Sequence, residues 1–196
     1  KESIWIAQKE GRANDGNDFS DVAVLKMLYL CKRKELSLSE WVKAMNITPI
    51  SISYEYDPLD VTKASGWDHQ EKMTLEEINK SDINELAKGL FGDKGRVHLH
   101  ICKPINFDGD DIEELSNMIE HNILSNYKIW PTSHIAAKAL SISDSKFNDF
   151  DENQIESNQE SKFLNRFNGI EEDIRRECLK TYVRPMINKK KARGEV

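Results

Sequence analysis

Cysteine is scarce in this chain. Cys31, Cys102 and Cys178 are odd in number, far apart and without metal-ligating spacing, so they read as buried thiols in a reducing compartment. Long apolar runs are missing too: nothing approaches the roughly 18 residues a membrane-spanning helix needs. No secretory leader pattern is visible. Basic charge is in deficit, with 28 Lys and Arg against 34 Asp and Glu and a formal net charge of -6. That balance excludes a nucleic-acid binder working by phosphate neutralisation. What is present, 38% hydrophobic and 32% charged residues in a chain of 196, predicts one main core with appended helices.

The stretch from Ile4 to Asp18 organises the reading. Ile4-Trp5-Ile6-Ala7 is a short apolar run suited to a buried strand. It passes at once into Gly, Asn and Asp, the composition of a tight loop. Glu10, Gly11 and Arg12 stand at the predicted strand exit. Gly11 would let a ligand approach the backbone. Arg12 offers a planar fork matched to phosphate oxygens, with Glu10 placed to hold it. Ligands of open α/β sheets bind beyond the carboxyl ends of strands. Taken alone, such a triplet is most often an ordinary surface turn.

Further elements follow from period and caps. Ser20 or Asp21 caps a predicted helix running to about Lys34, and Ser37-Leu38-Ser39-Glu40 is a capping box for the next. Ile50, Ile52, Tyr54 and Tyr56 alternate as in a strand, with Pro49 near its start. Asp57-Pro58 starts a short helix, and Thr74-Leu75-Glu76-Glu77 opens one reaching Leu90. Residues 96–105 form a strand with Val97, Leu99 and Ile101 on one face and His98, His100 and Cys102 on the other. No further metal ligand stands near the two histidines, and they read as a polar, half-exposed face. Helices are predicted from an acidic start at Asp108 to Asp111 as far as Tyr127, from Thr132 or Ser133 to Leu140, and from Ile170 to Val183. Trp130, before Pro131, reads as a packing anchor. Ser141 to Ser161 reads as a polar linker or a loosely docked helix, and Lys189-Lys190-Lys191 with Arg193 forms a basic end. Such an end attracts an anionic membrane or is a solvated tail.

Two blocks carry a resemblance. Trp5-Ile6-Ala7-Gln8-Lys9-Glu10-Gly11-Arg12 with Asp15-Gly16-Asn17-Asp18 resembles the third block of the glycerol-3-phosphate and 1-acylglycerol-3-phosphate acyltransferase family, in its bacterial branch. Thr48-Pro49-Ile50 through Ser53-Tyr54-Glu55-Tyr56-Asp57-Pro58 resembles the fourth block. The resemblance implies that Glu10, Gly11 and Arg12 bind the glycerol phosphate and that Pro49 lies near the acyl donor. It implies an α/β fold, the C-terminal part of a mixed, mainly parallel sheet flanked by helices. Residues 1–140 would form that part, and 141–196 a helical extension.

The family's catalytic His-x-x-x-x-Asp block, whose His takes the hydroxyl proton, has no counterpart here. Five residues after His69, His98, His100, His121 and His134 stand Thr74, Lys103, Ile105, Asn126 and Ala139. The expectation is a C-terminal fragment of an acyltransferase (EC 2.3.1 type), inactive alone, with no catalytic or metal-ligating residue. Acyl-CoA or acyl carrier protein would be the acyl donor, no cofactor is implied, and glycerol 3-phosphate or lysophosphatidate would be the acceptor. The expected place is the cytoplasm or its side of a membrane, with peripheral membrane contact and no nucleic acid. An unpaired sheet edge around Ile4 to Ala7 would drive self-association. A non-catalytic protein- or membrane-interaction module is the other class of reading.

Overall fold

Helix starts follow their capping side chains. In the computed structural model, which describes residues 2–7, 17, 19–65 and 75–195, helix α1 (Val22–Leu30) begins where Asp21 Oδ1 accepts the Ala23 N–H at 2.8 Å. It stops short of Lys34, because the chain folds into turns from Cys31 and Tyr29 donates its hydroxyl to Leu36 O at 2.8 Å. Helix α2 (Leu38–Met45) carries the predicted capping box: Glu40 N–H donates to Ser37 Oγ and Ser37 N–H to Glu40 Oε2. Strand β1 (Ile50–Tyr54) leads to α3 (Asp60–Ser65) and α4 (Leu75–Phe91), then to β2 (Val97–Ile101). Helices α5 (Ile112–Ser125), α6 (Pro131–Ser141), α7 (Ser157–Leu164) and α8 (Glu172–Ala192) complete the order.

The expected mainly parallel α/β sheet is corrected. Among the described residues the sheet has two strands, β1 and β2, paired antiparallel with Ile52 opposite Leu99. The ladder runs past both ends: Glu55 N–H donates to Arg96 O at 2.9 Å, and Cys102 N–H to Pro49 O at 3.0 Å. Apolar alternation specifies that a segment is extended; it does not specify which strand it meets or in which direction. Ile4–Ala7 is corrected as well. The segment has no regular structure, and Ile4 and Trp5 are exposed at 78% and 63%. A strand without a ladder partner leaves its backbone to water and gains nothing from its β-branched side chains.

The sheet is inverted relative to the usual arrangement. Its inner face carries Ser51 and Ser53, both buried, with half-buried His98 and His100 opposite them. Its outer face carries Ile50, Ile52 and Tyr54 beside Ile101, Leu99 and Val97. Leu99 is 52% and Ile101 64% exposed.

Two apolar clusters form the core. One joins α1, α2 and α5 around Trp41, Val42, Leu115 and Ile119. The other gathers Tyr56, α6, α7 and α8, with Phe163 edge-on to Tyr182 at 4.8 Å. It spans the composition change at Ser141, so the polar stretch links elements of a shared core. Helix α6 starts with Pro131 in its first turn and Trp130 at the cap position, not Thr132 or Ser133. Helix α8 continues past the predicted end at Val183. Pro185 removes one helical donor, yet Tyr182, Val183, Met186 and Asn188 are all buried, and that packing holds the helix through the proline.

A buried polar knot ties the second cluster to the chain after β1. Asp60 Oδ2 accepts from Tyr182 Oη at 2.8 Å and from Arg166 Nη2 at 3.0 Å, while Asp60 Oδ1 accepts the Val61 N–H at 2.8 Å. Tyr182 Oη in turn accepts the Asp57 N–H at 2.9 Å. Removing one member strands a buried charge. Arg166→Met is therefore expected to cost about 3 kcal/mol in urea denaturation. Adding Asp60→Asn should recover part of that loss, and a double variant no more stable than the single would refute the pairing.

Candidate functional site

Glu10, Gly11 and Arg12 lie outside the described residues, so their predicted phosphate grip has no geometry here. The end of their block is anchored. Asn17 Oδ1 accepts from Asn188 Nδ2 of α8 at 3.2 Å, and Ser20 N–H donates to Glu120 Oε2 of α5 at 2.7 Å. A hollow of about 320 Å³ opens beside that anchor, bordered by Phe19, His121, Asn188 and Lys191. The first block thus re-enters the fold against the basic end of α8.

Pro49, the predicted acyl-side residue, is buried at the entry to β1, and its carbonyl accepts the Cys102 N–H. That is a structural role at a strand entry. The run Ser53 to Pro58 is likewise occupied by packing. Ser53 Oγ accepts the Lys128 N–H at 3.1 Å. Glu55 takes a two-pronged grip from Arg96, with Nε–Oε2 at 3.0 Å and Nη2–Oε1 at 2.9 Å, and also accepts the Arg96 N–H. Thr132 Oγ1 donates to Glu55 O, and the Arg96 guanidinium sits 5.0 Å over the Trp130 ring. Gly95 permits the turn: its φ is +57°, and a Cβ there would lie 2.6 Å from the Tyr56 ring. Tyr56 is buried in the second cluster with Arg166 5.0 Å from its ring. Asp57 accepts the Leu59 N–H in the turn before α3, which starts three residues later at Asp60, and pairs with Lys63 at 2.6 Å.

These anchors frame a larger cleft of about 420 Å³. Its apolar wall includes Ile52, Tyr54, Leu59 and Pro185, and its basic side is Lys63, Lys94 and Lys128. Asp57 neutralises Lys63. Lys94 Nζ donates to the Leu90 and Gly92 carbonyls at the end of α4, and Lys128 Nζ lies 5.8 Å from the Trp130 ring centre. Behind it, Lys189 donates to Tyr127 O; burial first, then Arg193 and Lys128, lowers its pKa. An apolar wall beside clustered ammonium groups suits an amphiphile with an anionic head. Sequence reading missed all three lysines. They come from α3, the turn after α4 and the link between α5 and α6, and no local pattern joins them.

Nucleophile chemistry is poorly served by the buried groups. Burial and then Asp60 push the Cys178 thiol up to about 12, and burial raises the Tyr182 hydroxyl well above its ordinary value. Both stay protonated at neutral pH. The His98 and His100 rings stack at 6.3 Å, and no group of three metal-ligating side chains occurs among the described residues. Burial lowers the His134 pKa, and its Nδ1 accepts the Asp151 N–H. Among the described residues no helix is long and apolar enough to cross a membrane.

No family model matches the chain, and no curated protein or solved structure is significantly similar to it.

The Arg96 side chain, opposed by burial, holds the Glu55 carboxyl below its ordinary value of 4.5. A lowered native pKa stabilises fully above the unfolded value, and the contribution is lost as pH falls through the native one. Glu55→Gln is thus expected to flatten the acid limb of the stability profile below pH 4.5. Urea midpoints measured down the acid range check this; parallel profiles for the two proteins would contradict it.

Proposed function

We propose that this chain is the acceptor-binding part of an acyltransferase that moves a fatty acyl chain from acyl-CoA or acyl carrier protein to glycerol 3-phosphate or its monoacyl form. The observation that carries the reading is the pair of blocks in order, Ile6-Ala7-Gln8-Lys9-Glu10-Gly11-Arg12 and Thr48-Pro49-Ile50 to Asp57-Pro58. In this reading Arg12 forks the phosphate, Gly11 gives clearance and Glu10 orients the guanidinium. The described cleft supports it by its chemistry: an apolar wall at Ile52 and Tyr54 for an acyl chain, with Lys94 and Lys128 for an anionic head. In this reading the proton acceptor is the family's His-x-x-x-x-Asp block, which has no counterpart in residues 1–196. The protein works at the cytoplasmic membrane face, with Lys191 and Arg193 at the end of α8 meeting anionic headgroups.

Transfer assays on the intact gene product test this. Arg12→Ala is expected to raise KM for glycerol phosphate by about tenfold or more, the loss of one charge-assisted phosphate contact. Lys128→Glu should raise KM for the monoacyl acceptor in the same direction. An unchanged KM removes Arg12 from the site. Failure to acylate either acceptor ends the reading.

A further inference from the structure

The basic cleft opens onto the outer face of the sheet, and Ile52 and Tyr54 belong to both. They line the cleft beside Lys94 and Lys128, and in the ladder they stand opposite Leu99 and Val97. Tyr54, Val97, Leu99 and Ile101 are between 44% and 64% exposed, and no paired position of that face is charged. The surface is thus an aliphatic plate with a phenol and two ammonium groups along one border. Among the described residues lining the cleft Asp57 is the one carboxylate, and it pairs with Lys63. Positive charge extends behind Lys128, where Lys189 donates to Tyr127 O and Arg193 to Ser125 O.

We propose that this face docks on a lipid bilayer with anionic headgroups: Leu99 and Ile101 enter the acyl boundary, Tyr54 sits at headgroup level, and Lys94 and Lys128 meet lipid phosphates. The order of groups follows the polarity profile of a bilayer surface. Aliphatic side chains gain by leaving water, amphipathic rings collect at the interface, and lysines near an anionic surface are drawn to it. A second copy of the chain offers the same uncharged plate and the same cations, so it leaves the lysines without counter-ions. The net charge of -6 belongs to the whole chain. Between exposed groups it is screened beyond about 8 Å, so the border of the plate decides at contact. The inference rests on the acyltransferase reading for the use of the cleft, whose mouth then faces the layer that holds monoacyl acceptors. It adds a docking surface to a reading that puts only Lys191 and Arg193 at headgroups.

Co-sedimentation of the full chain with vesicles tests it. The expected result is binding to phosphatidylcholine vesicles that contain phosphatidylglycerol, and much weaker binding to phosphatidylcholine alone. Leu99→Asp and Ile101→Asp should each lower the partition coefficient about tenfold or more, by loss of aliphatic burial. Lys128→Glu should lower it by about the same factor, by reversal of one charge. Ile142, 89% exposed just past the end of α6, should tolerate Ile142→Asp with binding unchanged. Unchanged circular dichroism shows that the variants fold. A chain that ignores phosphatidylglycerol vesicles overturns the proposal, as does equal binding to phosphatidylcholine alone. Binding that survives both sheet variants but is lost with Lys191→Glu and Arg193→Glu would place the contact at the end of α8 and equally overturn it. So would a dimer dissociated by Leu99→Asp with vesicles left unbound, which assigns the face to a second copy. Vesicle binding as expected, without transfer to either acceptor, supports the docking surface and ends only the enzyme reading.

Discussion

Asp60 is a carboxylate with almost no access to water, and the second core is arranged around satisfying it. Its oxygens take an arginine, a phenol and a backbone N–H. A buried charge is tolerable only when every partner is in place, so Arg166 and Tyr182 have little freedom. Tyr182 lies on α8 and Arg166 just after α7, while Asp60 and Asp57 directly follow the strand end. One ionised group thereby fixes the position of the C-terminal helices on β1. Phe163 and Phe167 pack edge-on against what that group has already placed.

The same arrangement explains the cleft. Tyr182 and Pro185 form one side of it and the β1 exit the other, so the knot that joins α8 to Asp57 also sets the cleft's width. Lysines reach it from three separate links. Asp57 balances one of them; the others hold helix-end carbonyls or lie against an indole, which leaves the local field positive within a chain of negative net charge. Function and packing meet in the Ser53 to Pro58 run. Its Ser, Glu and Asp are occupied by structural bonds, and Tyr54 alone among its first four residues stays exposed beside the cleft.

Polarity across the sheet runs against the usual rule. Ser51 and Ser53 are buried, the Ser51 hydroxyl without a partner among the described residues, while isoleucine, leucine and valine face outward. An unpartnered buried hydroxyl costs free energy, and exposed aliphatic side chains forgo theirs. Both costs fall on the one element whose outer surface would gain most from a covering layer.

Local chemistry was legible at the helix starts whose capping side chain lies within the first turn, though not at α6, which starts at Pro131 with no side-chain cap. Asp21, one of two residues predicted to cap α1, and Ser37 with Glu40 do cap their helices, and Asp111 caps a helix whose acidic start the sequence places between Asp108 and Asp111. The alternation at 50–54 and 97–101 marked both strands. The Glu-Gly-Arg block was legible as a motif and lies outside the described residues, so its chemistry rests on sequence. What the chain alone determined, then, was which stretches are helical or extended and which side chains share a face, because those follow from backbone sterics and period. Tertiary structure decided the rest: the antiparallel pairing, the inward turn of the serines, the helix carried through Pro185 and the gathering of Lys63, Lys94 and Lys128. Each of these depends on contacts between residues far apart in sequence, and no local pattern encodes their free energy.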